Sequence, residues 1–361
     1  MTAVRKNRRP TPHGPALLAV DVGNSEITLG VFQDDDLMLS WRLRSIPRTP
    51  DETLLLLRQL LGPEAIDLAG LPSVLCSVVP PVTADFVRAL ELLTGILPVV
   101  VGPDTVPALP IRYKDPSLVG PDRLANAFAV RELYGAPAIV VDLGTATTFD
   151  VIGEDGDYLG GAIAPGLWGS AEELFRRAAR LGRVELRRPD RVIGRTPEES
   201  LQSGIVLGHA GMVDSMVTRI LVELGGDARV VATGGLSRLL EGEASTLEVI
   251  DEGLTLKGLR LIHDAAAHPE TLLAWTRKQE ARARSRARAT AEVDAPEPVE
   301  PRTPTRTRRP AAVPAPTRTP APKPAPAPTT APVAPSDKDK DEAARKRRGR
   351  RGGRRGRGGR G

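Results

Sequence analysis

Residues 20–32 read VDVGNSEITLGVF, and residues 141–152 read VDLGTATTFDVI. Each stretch runs apolar residues into an aspartate (Asp21, Asp142), then one apolar residue, a glycine, small polar residues and finally β-branched or aromatic ones. An acid at the end of a buried strand, followed by a glycine turn and a second apolar strand, is the pattern of a phosphate-binding hairpin. Glycine lets the backbone come close to a ligand, and the turn amides with Asn24, Ser25 and Thr145 offer donors to phosphate oxygens. The carboxylate cannot hold phosphate directly, so a cation must stand between them, Mg2+ or a monovalent ion. One such hairpin is an ordinary turn. Two, at equivalent places in two α/β halves, predict a doubled fold whose loops face each other across a nucleotide cleft.

The flanking sequence supports two halves. ALLAVDV, EITLGVF and LMLSWRL read as three strands, and TPDETLLLLRQLL, with its Thr/Asp start followed by leucines, as an N-capped helix. SVLCSVV is a buried strand closed by Pro80-Pro81, TADFVRALELLTG a helix with a Thr cap and a Gly stop, and ILPVVVG a strand. The order β-β-β-α-β-α-β calls for a mixed sheet. In the second half PDRLANAFAVRELYG is a helix, AIVVDLG a buried strand, TTFDVIGEDG its hairpin partner, and DYLGGAIAPG contains a third strand. GSAEELFRRAARLG and PEESLQSGIVLGHAGMVDSMVTRILVELGG are helical, ARVVATGG is a strand entering a glycine turn, and EGLTLKGLRLIHDAAA is the last helix with a good apolar face. No G-x-x-x-x-G-K-[ST] occurs, and no G-x-G-x-x-G follows the first strand, so P-loop and dinucleotide-binding readings are set aside.

Charge divides the 361 residues unevenly. Residues 277–361 hold 24 Lys+Arg and 9 Asp+Glu, and 1–15 hold four basic residues. The 22 basic and 36 acidic residues of 16–276 make an acidic body, which does not look like a nucleic-acid-binding domain. Residues 291–335 hold 14 prolines, and 276–361 lack Phe, Tyr and Trp, so this region cannot bury enough apolar area to offset chain entropy. The expected organisation is a disordered leader at 1–15, domains at 16–118 and 119–270, and a disordered Pro/Ala-rich linker with an Arg/Gly-rich tail at 271–361. No apolar run approaches the roughly 18 residues of a membrane helix, and no signal peptide is read at the N-terminus. Cys76, the single cysteine, reads as a buried small hydrophobe and fits a reducing cytosol. His209 and His263 read as structural or surface histidines, His13 and His268 lie outside the core, and no His/Cys spacing suggests zinc.

Paired D-x-G hairpins in duplicated domains resemble the actin-like (ribonuclease H-like) ATPase superfamily. DVGNS at 21–25, VGPDRLAN at 119–126, DLGTATTFD at 142–150 and ATGG at 232–235 together resemble type III pantothenate kinase over about residues 17–266. That resemblance implies ATP-dependent phosphorylation of pantothenate, the first step of coenzyme A synthesis, in the cytoplasm. It implies an ATP loop at Asp21, Val22, Gly23, Asn24, Ser25, Glu26, Ile27 and Thr28, with Thr145 on the phosphates and Gly234–Gly235 at adenosine. It implies Asp122 as general base, and Tyr113, Gly120, Pro121, Asp122 and Arg123 at pantothenate. Asp142 takes the place of the ligand to K+ or NH4+, with Mg2+ accompanying ATP. A homodimer would bring Thr196 to the pocket from the neighbouring subunit.

The chain departs from the family pattern at Ser25, where Thr is usual, and at Glu26, where a neutral residue is commoner. The hydroxyl survives; the added carboxylate puts nucleotide affinity in question. The tail lies outside the family pattern and reads as a sequence-tolerant binder of RNA or another polyanion, or as a solvated accessory. Two rival readings stand beside the kinase: the same fold acting on another small hydroxyl substrate, and a catalytically silent regulatory or nucleic-acid-binding protein working through the tail.

Overall fold

The computed structural model describes residues 16–64, 66–177 and 182–267. The leader and the linker-tail region lie outside the described residues, as do 178–181 at the end of the predicted GSAEELFRRAARLG helix.

The elements are β1 (Ala16–Val22), β2 (Glu26–Gln33), β3 (Asp36–Arg44), α1 (Pro50–Leu61), β4 (Ser73–Ser77), α2 (Pro80–Thr94), β5 (Val99–Val100), α3 (Pro121–Tyr134), β6 (Ala138–Leu143), β7 (Ala146–Ile152), β8 (Tyr158–Pro165), α4 (Leu167–Arg177), α5 (Pro197–Leu224), β9 (Arg229–Thr233), β10 (Val249–Ile250) and α6 (Leu254–Ala267). Two five-stranded sheets run β3-β2-β1-β4-β5 and β8-β7-β6-β9-β10. In each, the first three strands are antiparallel neighbours and the last two run parallel to the first. The repeated hairpin pattern therefore reflects a doubled topology, with β1-β2 and β6-β7 as its equivalent hairpins.

Three corrections concern local structure. α2 starts at Pro80 rather than at a Thr cap: two prolines, whose missing N–H groups would be unpaired in a first turn anyway, open it behind Val79. Thr83 sits inside the helix, its hydroxyl donating to the Val79 carbonyl at 3.0 Å. β5 is two residues long, because only Val99 and Val100 pair with β4. β10 escaped notice because two residues carry no period. α1, by contrast, has its expected cap in full: Thr49 accepts from the Glu52 amide, and the Glu52 carboxylate accepts from the Thr49 amide at 2.8 Å.

Side-chain alternation sorts the strands into three layers of core. Leu18, Val20 and Val22 face α1 and α2 with Leu57, Phe86 and Leu90. Ile139, Val141 and Phe149 face α5 with Val206, Val213 and Val217. The inner faces, Leu17 and Ala19 of β1 and Ala138 and Val140 of β6, share one core with α3 and α6. α3 is buried at every position from Arg123 to Arg131, so that stretch leaves no face to solvent. A Cβ on Gly258 of α6 would lie 2.2 Å from the Ala125 carbonyl oxygen, so glycine is what allows the two helices to touch. Against the expectation of no long apolar run, α5 is long and apolar enough by length and composition to cross a membrane. Its buried stripe against β6 and β7 is that of a core helix.

Candidate active site

Alternation that puts Leu17 and Ala19 inward puts Asp21 inward too, at the C-terminal end of β1. Ala138 and Val140 do the same for Asp142 at the end of β6. Pro121 opens α3 between them, which sets Asp122 in its first turn and Asn126 one turn further on the same side. The predicted loops meet: the Thr145 hydroxyl donates to the Ser25 hydroxyl at 3.0 Å, across 120 positions of sequence. Both turns close alike, Gly23 N–H on the Glu26 carbonyl at 2.9 Å and Gly144 N–H on the Ala146 carbonyl at 3.1 Å. Asn24, Ser25, Glu26 and Thr145 are exposed at this junction, and Thr28 pairs opposite Asp21. Val22 and Ile27 point into the core, so only their backbone faces the loop. Gly234 has φ +90°, and a Cβ there would stand 2.6 Å from Asp142 Oδ1. A Cβ on Gly235 would stand 2.9 Å from Arg42 Nη1 and 3.9 Å from Glu26 Oε2, so a guanidinium accompanies the added carboxylate at this turn.

Asp21, Asp122 and Asp142 form an acidic cluster. Burial pushes Asp21 and Asp142 up to about 7, and Asp122 raises both further. Burial also raises Asp122 itself, although its carboxylate accepts from the Arg123 amide at 2.8 Å. Two neutral donors relieve the cluster: Cys76 Sγ donates to Asp21 Oδ1 at 3.0 Å, and Asn126 Nδ2 to Asp142 Oδ2 at 2.9 Å. The Thr255 hydroxyl of α6 donates to Asn126 Oδ1 at 2.8 Å, which fixes the amide's orientation. Among the described residues no Lys or Arg side chain is ion-paired to these three acids. No group of three or more His, Cys, Asp or Glu suited to a resident metal is found among the described residues either. Half-buried carboxylates with no ion-paired Lys or Arg among the described residues fit cations arriving with the ligand or beside it.

A pH dependence follows. The folded-state values of Asp21 and Asp142 lie above the ordinary 3.8, so the folded protein holds more protons than the unfolded chain between about 4 and 7. Stability contributed by these groups is present at low pH and is lost as pH rises through about 7. The melting temperature in K+-free and Mg2+-free buffer should fall from pH 5 to pH 8 more steeply in wild type than in Asp21→Asn/Asp142→Asn. Equal slopes would contradict this.

On the other side of Asp122, Arg123 is buried and donates through Nε to Asp150 Oδ1 at 2.7 Å. The Tyr158 hydroxyl donates to the same oxygen at 2.9 Å, and the Thr148 hydroxyl to Asp150 Oδ2 at 3.3 Å. Asp150 sits at about 6, raised by burial and lowered by Arg123. The β8 backbone closes in here. Gly160 has φ +125°, with the Tyr113 ring 3.5 Å from where its Cβ would be, and a Cβ on Gly161 would lie 2.9 Å from Arg123 Nη2. A Cβ on Gly120 would lie 2.4 Å from Asp122 Oδ1. Gly120, Pro121, Asp122, Arg123 and Tyr113 thus gather around one wall. Thr196 is elsewhere in role: exposed, it N-caps α5 by accepting from the Glu199 amide at 3.1 Å. His209 is buried against the Thr147 hydroxyl at 2.9 Å, and burial lowers its pKa, consistent with a structural histidine. Sequence reasoning passed over Asn126, Asp150, Tyr158 and Thr255. Asn126 and Asp150 stand inside quoted motifs, as polar residues in buried apolar surroundings, and that was the available signal.

A family model described as type III pantothenate kinase matches residues 17–219. The chain is 48% identical over 250 residues to a type III pantothenate kinase of Moorella thermoacetica, covering 69% of this chain and 98% of that protein. It is 45% identical over 249 residues to one of Myxococcus xanthus, covering 68% and 97%. Among solved structures, a ROK hexokinase from Thermus thermophilus superposes with a TM-score of 0.40 at 13% identity, over 68% of this chain and 98% of that one.

Proposed function

Because the chain belongs to the type III pantothenate kinase family, we propose that it transfers the γ-phosphoryl group of ATP to the primary hydroxyl of pantothenate, with Asp122 as the base. The observation that supports this most is the placement of Asp122 beside both D-x-G loops, which the Thr145–Ser25 bond brings together. In the reaction, Asp122 accepts the hydroxyl proton as the oxygen attacks the γ-phosphorus, and the bond to the β-phosphate oxygen breaks to release ADP. Phosphoryl transfer has a loose transition state, so orientation and charge neutralisation carry most of the rate. Residues 21–28 and Thr145 cradle the phosphates, Gly234–Gly235 borders adenosine, and Arg123 with Tyr113 holds pantothenate. Mg2+ with ATP and a monovalent cation at Asp142 would neutralise phosphate charge. The test is ADP release by the full chain with ATP and Mg2+, with and without pantothenate, in K+ or Na+. Turnover that needs pantothenate and prefers K+ supports the reading. ADP release indifferent to pantothenate, or replaced by turnover on another small alcohol, defeats it.

We place the protein in the cytoplasm as a homodimer, with the partner's copy of Thr196 closing the pocket. α5 carries Gly204, Gly208 and Gly211 along one exposed line, and a Cβ on any of them would meet nothing within 4 Å. Each glycine costs a helix about 1 kcal/mol relative to alanine, a cost that close approach of a second backbone would explain. Gly208→Arg should yield a monomer by sedimentation, more helix-stable yet impaired in pantothenate turnover. A dimer of undiminished activity would refute this face. The tail at 277–361 is proposed to bind polyanions such as RNA. Its affinity should fall linearly in log–log plots against salt and vanish on truncation; unchanged binding without 277–361 would end that reading.

A further inference from the structure

The two halves can be compared strand by strand at their acids. β1 pairs with β4 so that Asp21 faces Cys76, and β6 pairs with β9 so that Asp142 faces Thr233. Residues in register on neighbouring strands project from the same side of the sheet. Val231, two residues before Thr233, belongs to the inner core shared with Val140, so Thr233 projects inward with Asp142.

The equivalent positions are chemically different. In the first half, Cys76 Sγ is 3.0 Å from Asp21 Oδ1 and occupies that oxygen. In the second, Asn126 occupies Oδ2 of Asp142, and Oδ1 is left facing the Gly234 turn. On the neighbouring strand, in register with Asp142, the Thr233 hydroxyl is buried and has no hydrogen-bond partner among the described residues. A buried hydroxyl without a partner carries its full desolvation cost, roughly 1–3 kcal/mol, so such a group calls for an explanation.

We propose that the Thr233 hydroxyl oxygen is a second ligand of the monovalent cation, completing with Asp142 Oδ1 a site that the first half cannot form. The inference rests on the reading of Asp142 as the cation's carboxylate ligand. Hard cations take oxygen donors, and a hydroxyl offers two lone pairs where a thiol offers a weak acceptor. The Cys76–Thr233 difference therefore assigns the cation to one copy of the doubled motif. Gly234 lets this turn approach Asp142 Oδ1 closely, since any side chain there would strike that oxygen. Asn126 and Thr255 act as positioning residues, tying down the other carboxylate oxygen.

The test uses the full chain and the variants Thr233→Val, Thr233→Ser and Asp142→Asn. Melting temperature is followed against KCl, with tetramethylammonium chloride holding ionic strength constant. Half-saturation by K+ is measured in the ADP-release assay. Thr233→Val should lose the K+-dependent rise in melting temperature and raise half-saturating K+ by roughly tenfold, as expected for losing an oxygen donor to a charged group. Its kcat at saturating K+ should change far less. Without K+ it should melt no lower than wild type, because it removes an unpartnered hydroxyl. Thr233→Ser should respond to K+ as wild type does. Thr233→Val with wild-type half-saturation and a wild-type K+ shift overturns the proposal, as does a loss of stability equal with and without K+. If Asp142→Asn itself keeps the full K+ response, the Asp142 reading fails and this ligand falls with it; if only Thr233→Val keeps it, the Asp142 reading stands alone.

Discussion

Asp122→Asn is expected to lower pantothenate-dependent ADP release by about 10²–10⁴-fold, the usual worth of a positioned general base, while the melting temperature stays level or rises. The two halves of that expectation have separate causes. The carboxylate is the only part of Asp122 that can take the proton, and burial raises its pKa, so it holds a proton more readily than an exposed aspartate. Asparagine keeps the oxygen that accepts from the Arg123 amide, so the start of α3 is preserved. It also removes a charge that pushes on Asp21 and Asp142, both of which Asp122 drives upward. A base whose loss is felt in stability as much as in rate would be a structural cap. Turnover within threefold of wild type, with the fold intact, would remove Asp122 from the chemistry. In wild type, activity should fall on the acid side at a pH above the ordinary aspartate range, because a protonated Asp122 cannot accept the hydroxyl proton.

How much of this could be read from the residues alone differs by level. The paired aspartates and their glycine turns foretold both sheets and their facing hairpins, because a two-residue period and a chain reversal are local signals. Helices with an apolar stripe or a full cap, such as α1, were equally plain. α3 was found by its Pro-Asp start and Gly135 stop, yet its burial on all sides depends on both sheets closing over it, which no window of sequence encodes. The same holds for Asp150. The family resemblance assigns Arg123 to substrate, and its Nε is committed to a carboxylate 27 positions away across α3 and β7. Thr233 shows the limit most clearly. Its hydroxyl has meaning only through register with Asp142 on a strand 91 positions earlier.

Arg123→Leu carries the second large effect, and it is one of stability: a loss of about 3–5 kcal/mol, the cost of breaking a buried ion pair from one side. The Arg123–Asp150 bond is 2.7 Å long, with the arginine side chain 9% exposed and the aspartate fully buried. Asp150 already sits at about 6 with the guanidinium beside it, and Arg123 is the principal influence holding it down. Without that partner its pKa rises, so the variant should recover stability as pH falls and Asp150 becomes a neutral acid. The deficit should be greatest above neutral pH. Adding Asp150→Asn removes the stranded charge while keeping an acceptor for the Tyr158 hydroxyl, so the double variant should regain most of the lost stability at pH 8 in denaturant titrations. Its kcat/KM for pantothenate should stay low, since the guanidinium proposed to hold the substrate is still missing. Recovery of both quantities together would mean that Arg123 serves only to neutralise Asp150. Recovery of stability alone separates the structural use of its Nε from the substrate-facing use of the rest of the guanidinium.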